Sequence, residues 1–212
     1  MKSSWNSEML KAFENIMKVD QNFRKIYNKI GIPENRSMSE GFQSLAKIII
    51  GQQISTNVAS NIYNKLLMDD ILNEKKIQML TLDTLKKYGL SSQKSFYIKN
   101  LADLIQKKKL DLSNLKKHSS EEISSLLIKV KGIGHWTINN YKIFVLQDIN
   151  AWPSADLALQ EAVKIIKKLE LRPNHDEMEK LGNDWIPYRG AASLFLWHFY
   201  NKVKVEKIEI KL

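Results

Sequence analysis

The sequence predicts an all-α protein, and three observations predict it. Apolar residues recur three and four positions apart through almost the whole chain, helix-capping side chains precede most of these runs, and glycine closes several of them. Leu10, Phe13, Ile16 and Met17 make a first stripe; Phe23, Ile26, Tyr27 and Ile30 make a second that stops at Gly31. Phe42, Leu45, Ile48 and Ile49 carry a third helix to a break at Gly51 to Ser55, where Ser55 caps a fourth with Val58, Ile62 and Leu66. A short helix from Leu82 to Tyr88 ends at Gly89, and Ser92 opens a longer one carrying Phe96, Leu101, Leu104 and Ile105. Ser119 and Glu122 stand at capping-box spacing before Ile123, Leu126, Leu127 and Val130. Ile138, Tyr141 and Val145 share a later helix, and Pro153-Ser154 lead into another with Leu157, Ala162, Val163 and Ile166. Asn174 begins a short helix ending at Gly182, and a last one runs from Arg189 to Tyr200. About ten helices result. Only 203–212 alternates as a strand does, and it reads as a tail or short edge element.

A chain of 212 residues buries one core or two small lobes. The expected organisation is a single unit, 1–212, with lobes over 41–118 and 119–200, N-terminal helices over 7–31 and the 203–212 tail. Lys107 to Lys117 holds five lysines and one aspartate, and reads as a solvated surface turn or a boundary. No apolar run approaches a bilayer span, and Met1 to Asn6 lacks an apolar signal core, so the expectation is a protein of the cell interior without membrane contact. The absence of cysteine excludes disulfides, thiolate zinc sites and cysteine-held iron–sulfur clusters. A net charge of +10 favours a polyanionic partner. Composition alone does not choose among DNA, RNA and an anionic surface, and lysine-rich chains with no such partner exist.

The most informative stretch is Lys131-Gly132-Ile133-Gly134-His135-Trp136-Thr137. Two glycines flank one apolar residue between two amphipathic helices, allowing positive φ and close approach of another backbone. Ile133 plugs the turn, and the amides after Gly132 open a helix N-terminus that favours an anion. Main-chain donors of this kind read phosphate and not base sequence. The other reading is a merely tight helix–helix joint.

With three further segments, the chain resembles the helix-hairpin-helix DNA glycosylase superfamily, and within it the 3-methyladenine DNA glycosylase II branch. These segments are Ile49-Ile50-Gly51-Gln52-Gln53-Ile54-Ser55; Gly89-Leu90-Ser91 with Lys94; and Trp185 to Ala192 with Trp197, while the hairpin match runs on to Pro153-Ser154-Ala155-Asp156-Leu157. The match covers roughly residues 40 to 200. It departs from the family at Lys131, where proline is usual, and it looks like the compact form, expected to lack an N-terminal β-domain. The resemblance implies two helical lobes flanking a DNA-binding cleft. It also implies a monomer acting on damaged double-stranded DNA, in the cytoplasm beside the nucleoid, or in the nucleus of a eukaryote.

The resemblance places the essential carboxylate at Asp156. A carboxylate near the anomeric carbon stabilises the positive charge that builds on deoxyribose as a base departs. The competing reading is an ordinary acidic residue in a first helical turn, where the dipole favours negative charge. A tryptophan, Trp136, occupies the position of the Schiff-base lysine of strand-cutting members, so the implied activity is monofunctional. Gln53 takes the wedge position, against the alternative of a polar residue satisfying helix-end groups. Trp136, Trp197 and Tyr188 are candidate walls of a base pocket whose indole faces attract a cationic alkylated purine such as 3-methyladenine or 7-methylguanine; Trp197 also fits a core position beside Leu194. Lys131, Gly132, Gly134, His135, Thr137, Ser55 and Lys94 are the candidate DNA contacts. No cofactor is required by the implied chemistry, although the family's hairpin carbonyls, here Ile128, Val130 and Ile133, imply a structural Na+ or K+. Rival functions are excision of hypoxanthine, uracil or oxidised guanine, and damaged-DNA binding without catalysis.

Overall fold

The computed structural model describes residues 5–210. The reading of Met1 to Asn6 and the end of the 203–212 tail therefore lie partly outside the described residues. Among those residues there are twelve α-helices and no strand: α1 (Ser7–Val19), α2 (Gln21–Ile30), α3 (Phe42–Gly51), α4 (Thr56–Met68), α5 (Glu74–Met79), α6 (Leu82–Lys87), α7 (Ser92–Gln106), α8 (Ser120–Leu127), α9 (His135–Tyr141), α10 (Leu157–Ile166), α11 (His175–Asn183) and α12 (Arg189–Tyr200). A 3₁₀ turn covers Leu115–Lys117, and π turns at Lys142–Leu146 and Asn201–Val205 extend α9 and α12.

Local chemistry explains most helix boundaries. Ser55, Ser91 and Ser119 accept a backbone N–H from the next turn of α4, α7 and α8. Full capping boxes close the starts of α8 and α11, Ser119 with Glu122 and Asn174 with Glu177. Gly31 ends α2 at φ 74°, a backbone region costly for a side chain. Helix α5 is the element the sequence pattern passes over, because it buries only Ile77 and shows no apolar period. Several positions of the expected stripes face solvent, Leu10, Tyr27, Val58, Phe96 and Leu126 among them, and α1 buries Met9 and Ala12 beside Phe13, Ile16 and Met17. The tail is not strand-like where it is described; Asn201–Val205 is helical. Lys107 to Lys117 is more than a solvated turn, since Leu110, Leu112 and Leu115 are buried along it or inside it.

The chain forms two compact units. One takes the chain up to Ser37 together with everything from Lys142 onward; the other is Met38–Tyr141. The division thus falls after Tyr141 and not near residue 118, and the N-terminal helices join the C-terminal ones. In the first unit α12 packs on α10, α1 and α2. Its core holds Phe13, Phe23, Trp152, Trp185, Phe195 and Phe199, with edge-to-face contacts of 5.2 to 5.5 Å between Phe13 and Phe195, Phe23 and Trp185, and Trp152 and Trp185. In the second unit α3 packs on α4, α7 and α9, α7 covers α5 and α6, and α8 meets α9.

Candidate active site

Within the first unit, Asp156 caps the N-terminus of α10. The sequence places it in the first helical turn; the structure moves it one step back, to the capping position itself. Its Oδ1 accepts the N–H groups of Ala158 and Leu159 at 3.0 Å each, and the indole Nε1–H of Trp197 at 3.1 Å. Only 8% of the residue is exposed. Three donors on one oxygen fix the orientation of the carboxylate, and the positive end of the α10 dipole faces it. Trp197 stacks on Phe144 at 5.2 Å and 26°, and the guanidinium of Arg36 lies 5.4 Å from the Phe144 ring centre. Trp197 therefore acts on Asp156 through its N–H while Phe144 occupies one indole face. Phe144 reaches that place from the π turn, a device with no signature in the apolar pattern.

The segment before Asp156 is held to α11. Trp152 donates from Nε1 to Met178 O at 3.1 Å, and a side chain at Gly182 would collide with that indole. Ser154 donates its hydroxyl to Glu179 Oε1 at 2.5 Å, so the His175 Nδ1 found 2.8 Å from the same hydroxyl oxygen donates to it. Gln160 Nε2 binds Ser154 O at 3.0 Å. Arg189 donates from Nε to Asn150 Oδ1 at 2.9 Å and approaches Glu179 at 4.0 Å. Sequence reasoning missed this brace because its members lie on three separate segments. Tyr188, a candidate pocket wall, packs against the core and accepts from Asn15 Nδ2 at 3.1 Å, which makes it an anchor for the start of α12. Leu157, expected on the apolar face, is instead exposed beside Asp156, and Leu159 takes its place in the core.

The second unit carries the hairpin. Only Gly132 of its two glycines has positive φ, 89°, and a Cβ there would fall within the Tyr97 ring. Gly134 has neither constraint: a Cβ would meet nothing within 4 Å. Nothing inside this chain demands glycine at 134. Ile133 is buried, as a plug must be, and its N–H binds Val130 O at 3.0 Å, which removes that amide from any anion grip. His135 is exposed, and Lys131 is exposed with its ammonium 5.3 Å from the Phe96 ring centre. Trp136 is half-buried in the first turn of α9, and its carbonyl accepts from Asn140 Nδ2 at 2.8 Å.

Two candidate DNA contacts have side chains turned inward. Thr137 is buried, and its hydroxyl accepts from Gln52 Nε2 at 2.8 Å, so it supports the hairpin from within. Lys94 donates to the carbonyls of Ile50 at 2.7 Å and Gln52 at 2.5 Å, capping α3; burial of its ammonium pushes its pKa below the ordinary lysine value. Ser55 is exposed at the start of α4, and Gln53 is exposed with φ 56°, in the left-handed region. Gln52 was not singled out by sequence. Its neighbour Gln53 has the same side chain, and only three dimensions separate their surroundings. Among the described residues no group of three or more His, Cys, Asp or Glu side chains could hold a metal ion, and no helix is long and apolar enough to cross a membrane.

A glycine hairpin between two helices, set in an all-helical scaffold, is the arrangement expected of the helix-hairpin-helix class of DNA-repair proteins. The chain belongs to the HhH-GPD superfamily of base excision DNA repair proteins, whose family model matches residues 46–188. It is 28% identical over 206 residues to the alkylbase DNA glycosidase-like protein mag2 of Schizosaccharomyces pombe, covering 92% of this chain and 95% of that protein. It is 31% identical over 167 residues to the putative DNA-3-methyladenine glycosylase YfjP of Bacillus subtilis, covering 74% of this chain and 58% of that protein. Among solved structures, the 3-methyladenine DNA glycosylase Mag1 of S. pombe in complex with abasic DNA matches with a TM-score of 0.83 at 24% identity, over 95% of this chain and 99% of that one. That likeness shows the shared fold.

Proposed function

We propose that this chain is a monofunctional DNA glycosylase that flips alkylated purines, 3-methyladenine and 7-methylguanine, out of duplex DNA and hydrolyses their N-glycosidic bonds. The observation that carries the reading is the carboxylate of Asp156, locked by Ala158, Leu159 and Trp197 in a nearly dry setting. The C1′–N bond breaks with its electron pair going to the base, which leaves as a neutral molecule because methylation had made it cationic. Asp156 stabilises the positive charge left on the sugar, and a fixed charge in a water-poor site acts more strongly than one in solvent. Water then adds at C1′ and loses a proton, giving an intact abasic site.

The other parts follow from the second unit. The hairpin amides from Gly134 onward, with Lys131 and His135, hold phosphate, and Gln53 fills the space left by the flipped base. Trp136 walls the base pocket by stacking on the cationic purine. The carbonyls of Ile128, Val130 and Ile133 have the hard oxygen chemistry that suits Na+ or K+, and the Val130 oxygen keeps a second lone pair beyond its bond to Ile133. A cation there would add positive charge beside the phosphate. The protein acts as a monomer, in the bacterial nucleoid or in a nucleus.

The test is incubation with methylated duplex DNA followed by chromatography of the released bases. Release of 3-methyladenine, with strands that break only after alkali, is the expected result. Release of hypoxanthine, uracil or oxidised guanine alone would assign a different lesion. Tight binding without any release would make the chain a binding module.

A further inference from the structure

Gln52 and Gln53 are adjacent and chemically identical, yet the structure places their side chains in opposite settings. Gln53 is exposed. Gln52 is half-buried and donates from Nε2 to Gly132 O at 2.9 Å and to Thr137 Oγ1 at 2.8 Å. Those two acceptors lie on either side of the Ile133–Gly134 turn, one at its entry and one in the first turns of α9. The carbonyl of Gln52 is in turn held by Lys94, whose ammonium also binds Ile50 O. The side chain of one residue thus grips the hairpin while its main chain is fixed to α7.

We propose that Gln52 is a positioning residue that sets the distance between the phosphate-gripping hairpin and the wedge at Gln53, with Lys94 as its support. This rests on the proposed roles of the hairpin and of Gln53. Flipping needs two forces on one duplex at a fixed separation, a hold on the backbone and a plug in the stack. Gln53 follows Gln52 directly with φ 56°, so the direction of its side chain is set by the backbone that Gln52 and Lys94 immobilise. A hydrogen-bonded strut suits this task because its length is defined to a few tenths of an ångström, whereas apolar packing tolerates sliding. The arrangement also explains why the Thr137 side chain is buried and that of Lys94 is turned inward: both side chains serve this strut.

Removing both Gln52 donors leaves two unmatched acceptors in the hairpin and frees the wedge turn, an effect on the order of tenfold on flipping. The experiment uses full-length protein, a duplex with 2-aminopurine beside a non-cleavable abasic analogue, and three proteins: wild type, Gln52→Leu and Lys94→Met. Fluorescence at saturation reports unstacking without any chemistry, and anisotropy reports affinity for undamaged duplex. Both variants are expected to bind undamaged duplex within about twofold of wild type while losing most of the fluorescence response. Excision from a mismatched target, which is already easily unpaired, should recover toward the wild-type rate. A full response from Gln52→Leu, or an equal loss of duplex affinity and response, would overturn the strut. A wild-type protein that binds but gives no response would instead overturn the underlying wedge reading. Lys94→Met guards against a Gln52 variant that does not fold.

Discussion

The indole of Trp197 donates a hydrogen bond to Asp156 across 3.1 Å, joining α12 to the first residue of the α10 cap. This bond turns an aromatic residue with two sequence readings, pocket wall or core, into part of the carboxylate's setting. Trp197→Phe would keep the stacking on Phe144 and lose only the N–H. A hydrogen bond to a charged group contributes about 1.5–3 kcal/mol, so single-turnover excision of methylated DNA should fall by roughly 10- to 100-fold, with duplex affinity unchanged. Wild-type rates would detach Trp197 from the reaction.

The two hairpin glycines should separate cleanly. Gly132→Ala meets the Tyr97 ring at φ 89° and should lose about 2–4 kcal/mol of stability in urea unfolding. Gly134→Ala faces open space, so its unfolding midpoint should match wild type while DNA affinity drops. Unchanged affinity in Gly134→Ala would remove the hairpin from the DNA interface.

Trp136 stands where a Schiff-base lysine would be required for strand cutting. Borohydride added during turnover should therefore trap no covalent protein–DNA adduct, as read by denaturing gel. A trapped adduct would contradict the monofunctional reading.

Asp20 offers a test of stability with a defined sign. Burial pushes its carboxyl pKa up, but hydrogen bonds from Asn22, Lys167 and Trp185 and the charge of Lys167 outweigh this and hold it below the ordinary carboxylate value. Its contribution is thus fully present above the unfolded-state pKa of about 3.9 and is lost as pH falls through the lower folded value. Asp20→Asn keeps the α2 cap and weakens the 3.1 Å pair with Lys167, which should cost about 1–2 kcal/mol at pH 7. Urea unfolding at pH 7 and pH 3 should show the gap narrowing at the acidic end; a constant gap would refute it.

What was legible in the sequence is what is local. Capping residues such as Ser119 and Asn174, and the glycine at 31, write helix ends into neighbouring positions, and the start of α12 at Arg189 is read correctly. The rest depends on distant partners. Nothing in the apolar period says that α1 and α2 pack on α12, or that Met9 and not Leu10 faces the core. The bond between residues 156 and 197, the inward turn of Lys94, and the different burial of Gln52 and Gln53 are tertiary facts of the same kind. Asp156 itself emerged from a family resemblance, because an acidic residue at a helix start is common for dipole reasons alone.

The most direct test is Asp156→Asn, measured side by side for base release and for binding to abasic duplex. Asparagine caps helices as well as aspartate does, so the bonds from Ala158 and Leu159 survive and the fold should hold. Only the negative charge is removed. Release of 3-methyladenine should fall by ~10²–10³ or more while binding stays within a few-fold of wild type. Release at the wild-type rate would show that the reaction proceeds without this carboxylate.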